Sequence, residues 1–133
     1  MCGPPGRIGR TWGTSGLIGA NGQIMPMSQA RIGGGDRGFQ FADGGCEVIR
    51  LYHGRPFTLR EHLDRLDRSA GDLELGVPLN REELVEQIMR LVQASGVREG
   101  MIYLQLTRGD AARNHAFPSE ARQASTIARL SAP

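Results

Sequence analysis

Two helix-start signals stand 22 positions apart in this chain, and each is followed by an apolar stripe at helical spacing. Thr58 with Glu61, and Asn80 with Glu83, have the form of capping boxes, in which a side-chain oxygen accepts from a first-turn amide while the glutamate reaches back to the cap amide. After the first, Leu59, Leu63, Leu66, Ala70 and Leu73 recur on one face, which predicts a helix from Leu59 to about Asp72. Gly76-Val77-Pro78 breaks the pattern, and Leu84, Ile88, Leu91 and Val92 form a second stripe ending near Ser95-Gly96. Two tandem helices, each apolar on one side only, must cover something flat and apolar.

The flanking segments supply a sheet. Leu17-Ile18-Gly19-Ala20 and Gln23-Ile24-Met25 are joined by Asn21-Gly22, a pair that readily takes the positive φ of a tight hairpin. Cys46 to Tyr52, His53-Gly54 and Arg55-Pro56-Phe57 repeat the arrangement, with Pro56 suited to a sheet edge. Met101 to Thr107 reads as a buried strand, Arg108-Gly109-Asp110 opens a polar loop to Pro118, and Ser125 to Leu130 can make one more strand. The expected architecture is α+β, a mainly antiparallel sheet with two amphipathic helices on one face. Residues 1–14, rich in Gly and Pro, are expected to be a disordered arm, 15–118 the folded domain, and 119–133 an interdomain or truncated tail.

A chain of 133 residues suits one core. The formal charge of +2 comes from arginines interspersed with acids, which argues against a nucleic-acid partner. No apolar run approaches the roughly 20 residues that cross a bilayer, and Met1 to Gly22 lacks the continuous apolar core of a signal peptide. Cys2 and Cys46 show no paired spacing, so reduced thiols in a cytoplasmic protein are expected. The sixteen basic Lys+Arg residues are all arginine, so the chain contains no side-chain amine.

Several residues could bind an anion. Arg65 sits mid-helix, four residues after Glu61, as Arg68 follows Asp64, so both arginines also suit surface ion pairs. Arg113 and His115 are separated by one residue, and in extended backbone both project to one side, where they could grip one carboxylate. The other reading is a solvated loop with two unrelated polar residues. Tyr103 lies in the buried-strand pattern, where a satisfied core hydroxyl is equally consistent. Cys46 has no assignable base partner, and His62 reads as helix surface or a supporting residue.

Three segments occur in one order at one spacing: Asp36-Arg37-Gly38-Phe39-Gln40-Phe41-Ala42-Asp43-Gly44, Glu61-His62-Leu63-Asp64-Arg65-Leu66, and Thr107-Arg108-Gly109 running to Arg113-Asn114-His115. Together they resemble the N-terminal half of the D-amino acid aminotransferases, class IV pyridoxal-phosphate enzymes. The resemblance covers about Asn21 to Pro118. It implies that Arg65 binds the cofactor phosphate, and that Arg113 and His115 trap the substrate α-carboxylate across a homodimer interface. Tyr103 matches a family tyrosine near the substrate pocket. Cys46 stands where the family usually has a tyrosine that contacts the substrate carboxylate, and a thiol cannot reproduce that bond. Phe39 is a milder departure from a frequent tyrosine.

The implied substrates are small amino acids and 2-oxo acids. The family holds pyridoxal phosphate as a Schiff base on a lysine, and this chain has none, so it is expected to be a truncated piece that does not transaminate alone. The alternatives are a non-catalytic dimerisation or anion-binding module, and a fragment of a branched-chain aminotransferase or aminodeoxychorismate lyase relative.

Overall fold

The computed structural model describes residues 14–76, 79–118 and 125–132. Along the chain the elements are β1 (Thr14–Ala20), β2 (Gln23–Pro26), a 3-10 turn (Met27–Gln29), α1 (Arg37–Phe41), β3 (Gly44–Tyr52) and β4 (Arg55–Pro56). They continue with α2 (Leu59–Asp72), α3 (Arg81–Ser95), β5 (Gly100–Thr107) and β6 (Ser125–Ser131). Six strands form one sheet in the order β2-β1-β6-β5-β3-β4, and every pairing is antiparallel.

Both hairpin turns follow from their sequences. Asn21 and Gly22 have φ of 49° and 87°, and His53 and Gly54 have 51° and 77°. This left-handed pair of residues matches the right-handed twist of the flanking strands. The nine residues of β3 pair along nearly their whole length with β5, which in turn pairs with β6.

Strand alternation divides the sheet into two unlike faces. Ile49, Leu51, Ile102, Leu104, Leu106, Ala128 and Leu130 face the helices and form one core with Leu63, Leu66 and Ala70 of α2 and Leu84, Ile88 and Leu91 of α3. Cys46, Val48, Met101 and Tyr103 occupy the opposite parity, where Val48 and Met101 remain substantially exposed.

The α+β class and the two helices on one face are as expected, and three details differ. Thr58 precedes α2 in a left-handed conformation, φ 49° and ψ 42°, and makes no side-chain cap bond. The extended backbone that aims a capping hydroxyl at the first turn is absent there. Asn80 does form the full box, accepting from the Glu83 amide at 2.9 Å while Glu83 accepts from the Asn80 amide at 2.9 Å.

The boundary at 118 also needs correction. Ser125–Ser131 is β6, seated between β1 and β5, and so belongs to the sheet interior. Its Thr126, Ala128 and Leu130 are buried because they alternate onto the helix-covered face. The expected arm lies outside the described residues except for Thr14, as do residues 119–124 of the expected tail. Thirdly, α1 is a short helix in a segment with no periodic signal. Asp36 caps it by accepting from Gly38 and Phe39 amides at 2.8 and 3.3 Å. A Cβ at position 38 would run into the Thr107 side chain, so the glycine lets α1 settle on β5.

The two helix starts give a paired expectation for stability. Asn80→Ala should cost about 1 kcal/mol, the usual loss of a working N-cap. Thr58→Ala should stay within about 0.5 kcal/mol, as surface changes without a special contact do. Urea midpoints of the two variants check both values.

Candidate phosphate and carboxylate site

Glu47 alternates onto the helix-covered face of β3, where its side chain is only 4 % exposed. A buried carboxylate must be paired. His62 Nδ1 meets Glu47 Oε2 at 2.7 Å, and Arg65 Nε donates to Glu47 Oε1 at 3.1 Å. Because His62 and Arg65 are three residues apart on α2, both reach the same strand residue. The surface pair with Glu61 does not form. Instead Arg65 is tethered by Nε alone, and its side chain is 63 % exposed.

The terminal nitrogens Nη1 and Nη2 of Arg65 have no hydrogen-bond partner among the described residues. A guanidinium anchored at Nε with its outer edge open suits two oxygens of a phosphate. Asp64, the other acid of this helix segment, pairs with Arg81 at 2.8 Å rather than with Arg68, and Asp67 also meets Arg81. Sequence does not single out Glu47 and His62 as an anchoring pair. The available signal is a charged residue at a core-facing strand position, which demands a partner.

The second group of residues centres on Phe41. The Arg113 guanidinium lies 5.6 Å from the Phe41 ring centroid, and the His115 ring is tilted against it at 5.2 Å and 58°. The i, i+2 pair is thus brought to one ring, and both side chains remain solvent-accessible. Arg37 stacks on the same ring at 4.8 Å. Its Nη1 donates to the Asn114 carbonyl, between Arg113 and His115, at 2.6 Å.

The loop is held from below by Asp43, whose side chain is 10 % exposed. Arg37 Nε donates to Asp43 Oδ2 at 2.9 Å, and Arg108 donates to both carboxylate oxygens, Nε at 2.7 Å and Nη2 at 3.1 Å. Arg108 also donates to the Leu73 and Glu74 carbonyls after α2 and lies 4.8 Å over the Phe117 ring. Nearby, Thr107 Oγ1 donates to Asp36 and accepts from the Gly109 amide, closing the turn that launches the loop.

Burial pushes the Asp43 carboxyl upward, but hydrogen bonds and charge from Arg108 and Arg37 outweigh it and hold the group below its ordinary value of 3.8. A carboxyl depressed by folding stabilises the native state above its unfolded pKa, and that contribution is lost as pH falls through the folded value. Native stability should therefore fall from about pH 4 downward. Urea midpoints at pH 6 and pH 3 should show that drop in the wild type, and a smaller one in Asp43→Asn.

Cys46 and Tyr103 lie on the other face of the sheet from the Glu47–Arg65 pair. Cys46 is opposite Gln105 and Tyr103 opposite Val48, which makes the two diagonal neighbours. Tyr103 Oη reaches Gln105 Oε1 only at 3.5 Å. Burial raises the phenol pKa, partly offset by the charge of Arg129, so it stays protonated. The expectation of a reduced thiol fails for Cys46, which is disulfide-bonded. The oxidised sulfur has no S–H to donate.

For pyridoxal phosphate the fit is divided. Arg65 suits the phosphate, but with no lysine in the chain no side chain can hold the aldehyde covalently. No described helix is long and apolar enough to cross a membrane.

An antiparallel six-stranded sheet backed by two helices on one face is the fold of a known class. The family model for amino-transferase class IV matches residues 44–133, and the chain belongs to that family. Within it, the chain is 43% identical to the D-alanine aminotransferase of Staphylococcus aureus (strain MSSA476) over 99 residues, 74% of this chain and 35% of that protein. The chain thus spans about a third of the length of such relatives. A branched-chain aminotransferase from the thermophilic archaeon Thermoproteus uzoniensis, solved with norvaline, matches with a TM-score of 0.73 and 25% identity, covering 90% of this chain and 41% of that one. The 4-amino-4-deoxychorismate lyase of Pseudomonas aeruginosa matches with a TM-score of 0.70 and 28% identity over 87% and 40% of the two chains. The fold is that of the N-terminal domain of this class.

Proposed function

We propose that this chain supplies one half of a site for amino transfer between a D-amino acid and a 2-oxo acid. The observation that carries the reading is Arg65, fixed to buried Glu47 by Nε and open at both Nη atoms. Arg65 takes the phosphate of pyridoxal phosphate, and Glu47, itself fixed by His62, keeps the guanidinium plane in place. Arg113 and His115, displayed on Phe41, receive the α-carboxylate of the amino or oxo acid. Tyr103 contributes an apolar wall and a neutral hydroxyl on the opposite sheet face. The name of the Staphylococcus aureus relative supports D-alanine as the donor, with pyruvate as its product.

When bound, pyridoxal phosphate supplies the aldehyde that accepts the amino group and the ring that stabilises the charge left on the substrate. The amine that would hold the cofactor and move the proton must come from outside this chain, because none of its side chains is a primary amine. The active form is a homodimer in which the Arg113–His115 loop serves the neighbouring site. A cytoplasmic setting completes the reading.

The missing lysine also favours a second reading, an anion-binding module without chemistry. An amino-transfer assay separates the two. The chain with pyridoxal phosphate, D-alanine and 2-oxoglutarate should form no pyruvate. Added to the lysine-bearing remainder of a D-alanine aminotransferase, it should restore pyruvate formation that Arg113→Ala abolishes. Turnover by the chain alone would refute the half-site reading, and a mixture that assembles without activity would favour the binding module.

A further inference from the structure

The proposed chemistry uses Arg65, Arg113 and His115 but leaves unexplained why a nearly buried carboxylate lies between their two supports. Asp43 accepts three hydrogen bonds from two guanidinium groups, and each of those groups continues to a different structure. Arg37 runs to the Asn114 carbonyl and to the face of Phe41, the ring that carries both Arg113 and His115. Arg108 runs to the Leu73 and Glu74 carbonyls at the end of α2, the helix of Arg65. Asp36, the nearest other acid in the motif, is taken by Thr107 and the α1 amides and contacts neither guanidinium.

We infer that Asp43 is a positioning residue: through Arg37 it sets the Arg113–His115 loop on Phe41, and through Arg108 it ties that loop to the end of α2. This rests on the reading of Arg113 and His115 as a carboxylate clamp. Asp43 touches no substrate. Its carboxylate fixes Arg37 at Nε, which leaves Nη1 aimed at Asn114 and the guanidinium plane over Phe41. With the carboxylate replaced, Arg37 keeps its charge and its amide bond to the Gly109 carbonyl at 2.8 Å, but its fork loses the contact that orients it, and the Arg113–His115 segment loses the side-chain tether at the Asn114 carbonyl. Misplacing a binding pair by a fraction of its reach is costly to recognition, because the geometry of the grip carries its value.

The test is NMR on the isotope-labelled chain, comparing wild type with Asp43→Asn and with Arg37→Gln, each titrated with pyruvate. In the wild type the carbon-bound ring protons of His115 should be displaced by the ring current of Phe41, and pyruvate should move the Arg113 and His115 signals. In both variants the β5 and β6 amides should hold their positions while the His115 displacement is lost and pyruvate binds about tenfold more weakly. A His115 displacement retained in the folded variants would overturn the inference. Loss of the β5 and β6 signals in both variants would also overturn it, since the cluster would then serve the whole fold. If only Asp43→Asn unfolds, Arg37→Gln decides, because it keeps the pair between Asp43 and Arg108. If His115 is released in the variants but the wild type ignores pyruvate, Asp43 still positions the loop and the carboxylate-clamp reading fails instead.

Discussion

Arg65→Ala should weaken binding of pyridoxal phosphate to this chain by between about tenfold and a hundredfold, the loss expected for charge-assisted hydrogen bonds worth roughly 1.5–3 kcal/mol. The reason is geometric. Glu47 takes Nε and leaves the two Nη groups pointing outward, so alanine removes both phosphate donors at once. It does not strip Glu47 of every partner, since His62 remains at 2.7 Å. The fold should therefore persist, as thermal unfolding can confirm. Arg68→Ala is the control: it removes the same charge from the same helix, at an exposed residue with no described ion pair. It should change affinity less than about twofold if the site is local, because an exposed arginine that donates no hydrogen bond to the phosphate adds only a Coulomb attraction weakened by water. Equal losses in the two variants would mean that net charge, not Arg65, draws the ligand.

Arg108→Ala should produce the largest loss of stability, about 3 kcal/mol, in the range for breaking a buried ion pair by deleting one partner. Arg108 is 12 % exposed at its side chain and makes two bonds to Asp43, two to the carbonyls that end α2, and a stacking contact with Phe117. Deletion leaves Asp43 with Arg37 alone and frees two carbonyls that had a charged donor. Arg108→Lys should recover less than half of the loss, because an ammonium cannot span a carboxylate and two carbonyls with a planar fork. Urea unfolding of both variants measures these values. A lysine variant as stable as the wild type would reduce the cluster to simple charge pairing.

Where burial imposes a period, the fold was legible. Leu63, Leu66 and Ala70 mark the buried face of α2, and Asn80 with Glu83 marks the start of α3, because helix geometry writes both signals locally. The hairpin turns were equally plain, since Asn21-Gly22 and His53-Gly54 carry the required positive φ. Strand order was not legible: β6 lies between β1 and β5, and that pairing depends on contacts between residues far apart in sequence. Thr58 misled because its type fits a cap while its backbone, φ 49°, does not. The five-residue α1 leaves no stripe to read and depends on the Asp36 cap and on packing against Thr107.

The site divides in the same way. The spacing of Arg113 and His115 showed that they could act together, but their shared support, Phe41, is invisible without the fold. Arg65 was readable as a helix arginine, but its tether on β3 required knowing which face Glu47 turns toward.

The most direct test of the half-site account is to titrate the wild-type chain with pyridoxal phosphate and, separately, with pyridoxal, following binding by calorimetry. The account predicts saturable binding of the phosphorylated cofactor, displaced by inorganic phosphate, and much weaker binding of pyridoxal, because the guanidinium of Arg65 anchors the ligand through its phosphate. Equal binding of the two, or no saturable binding of either, would contradict it.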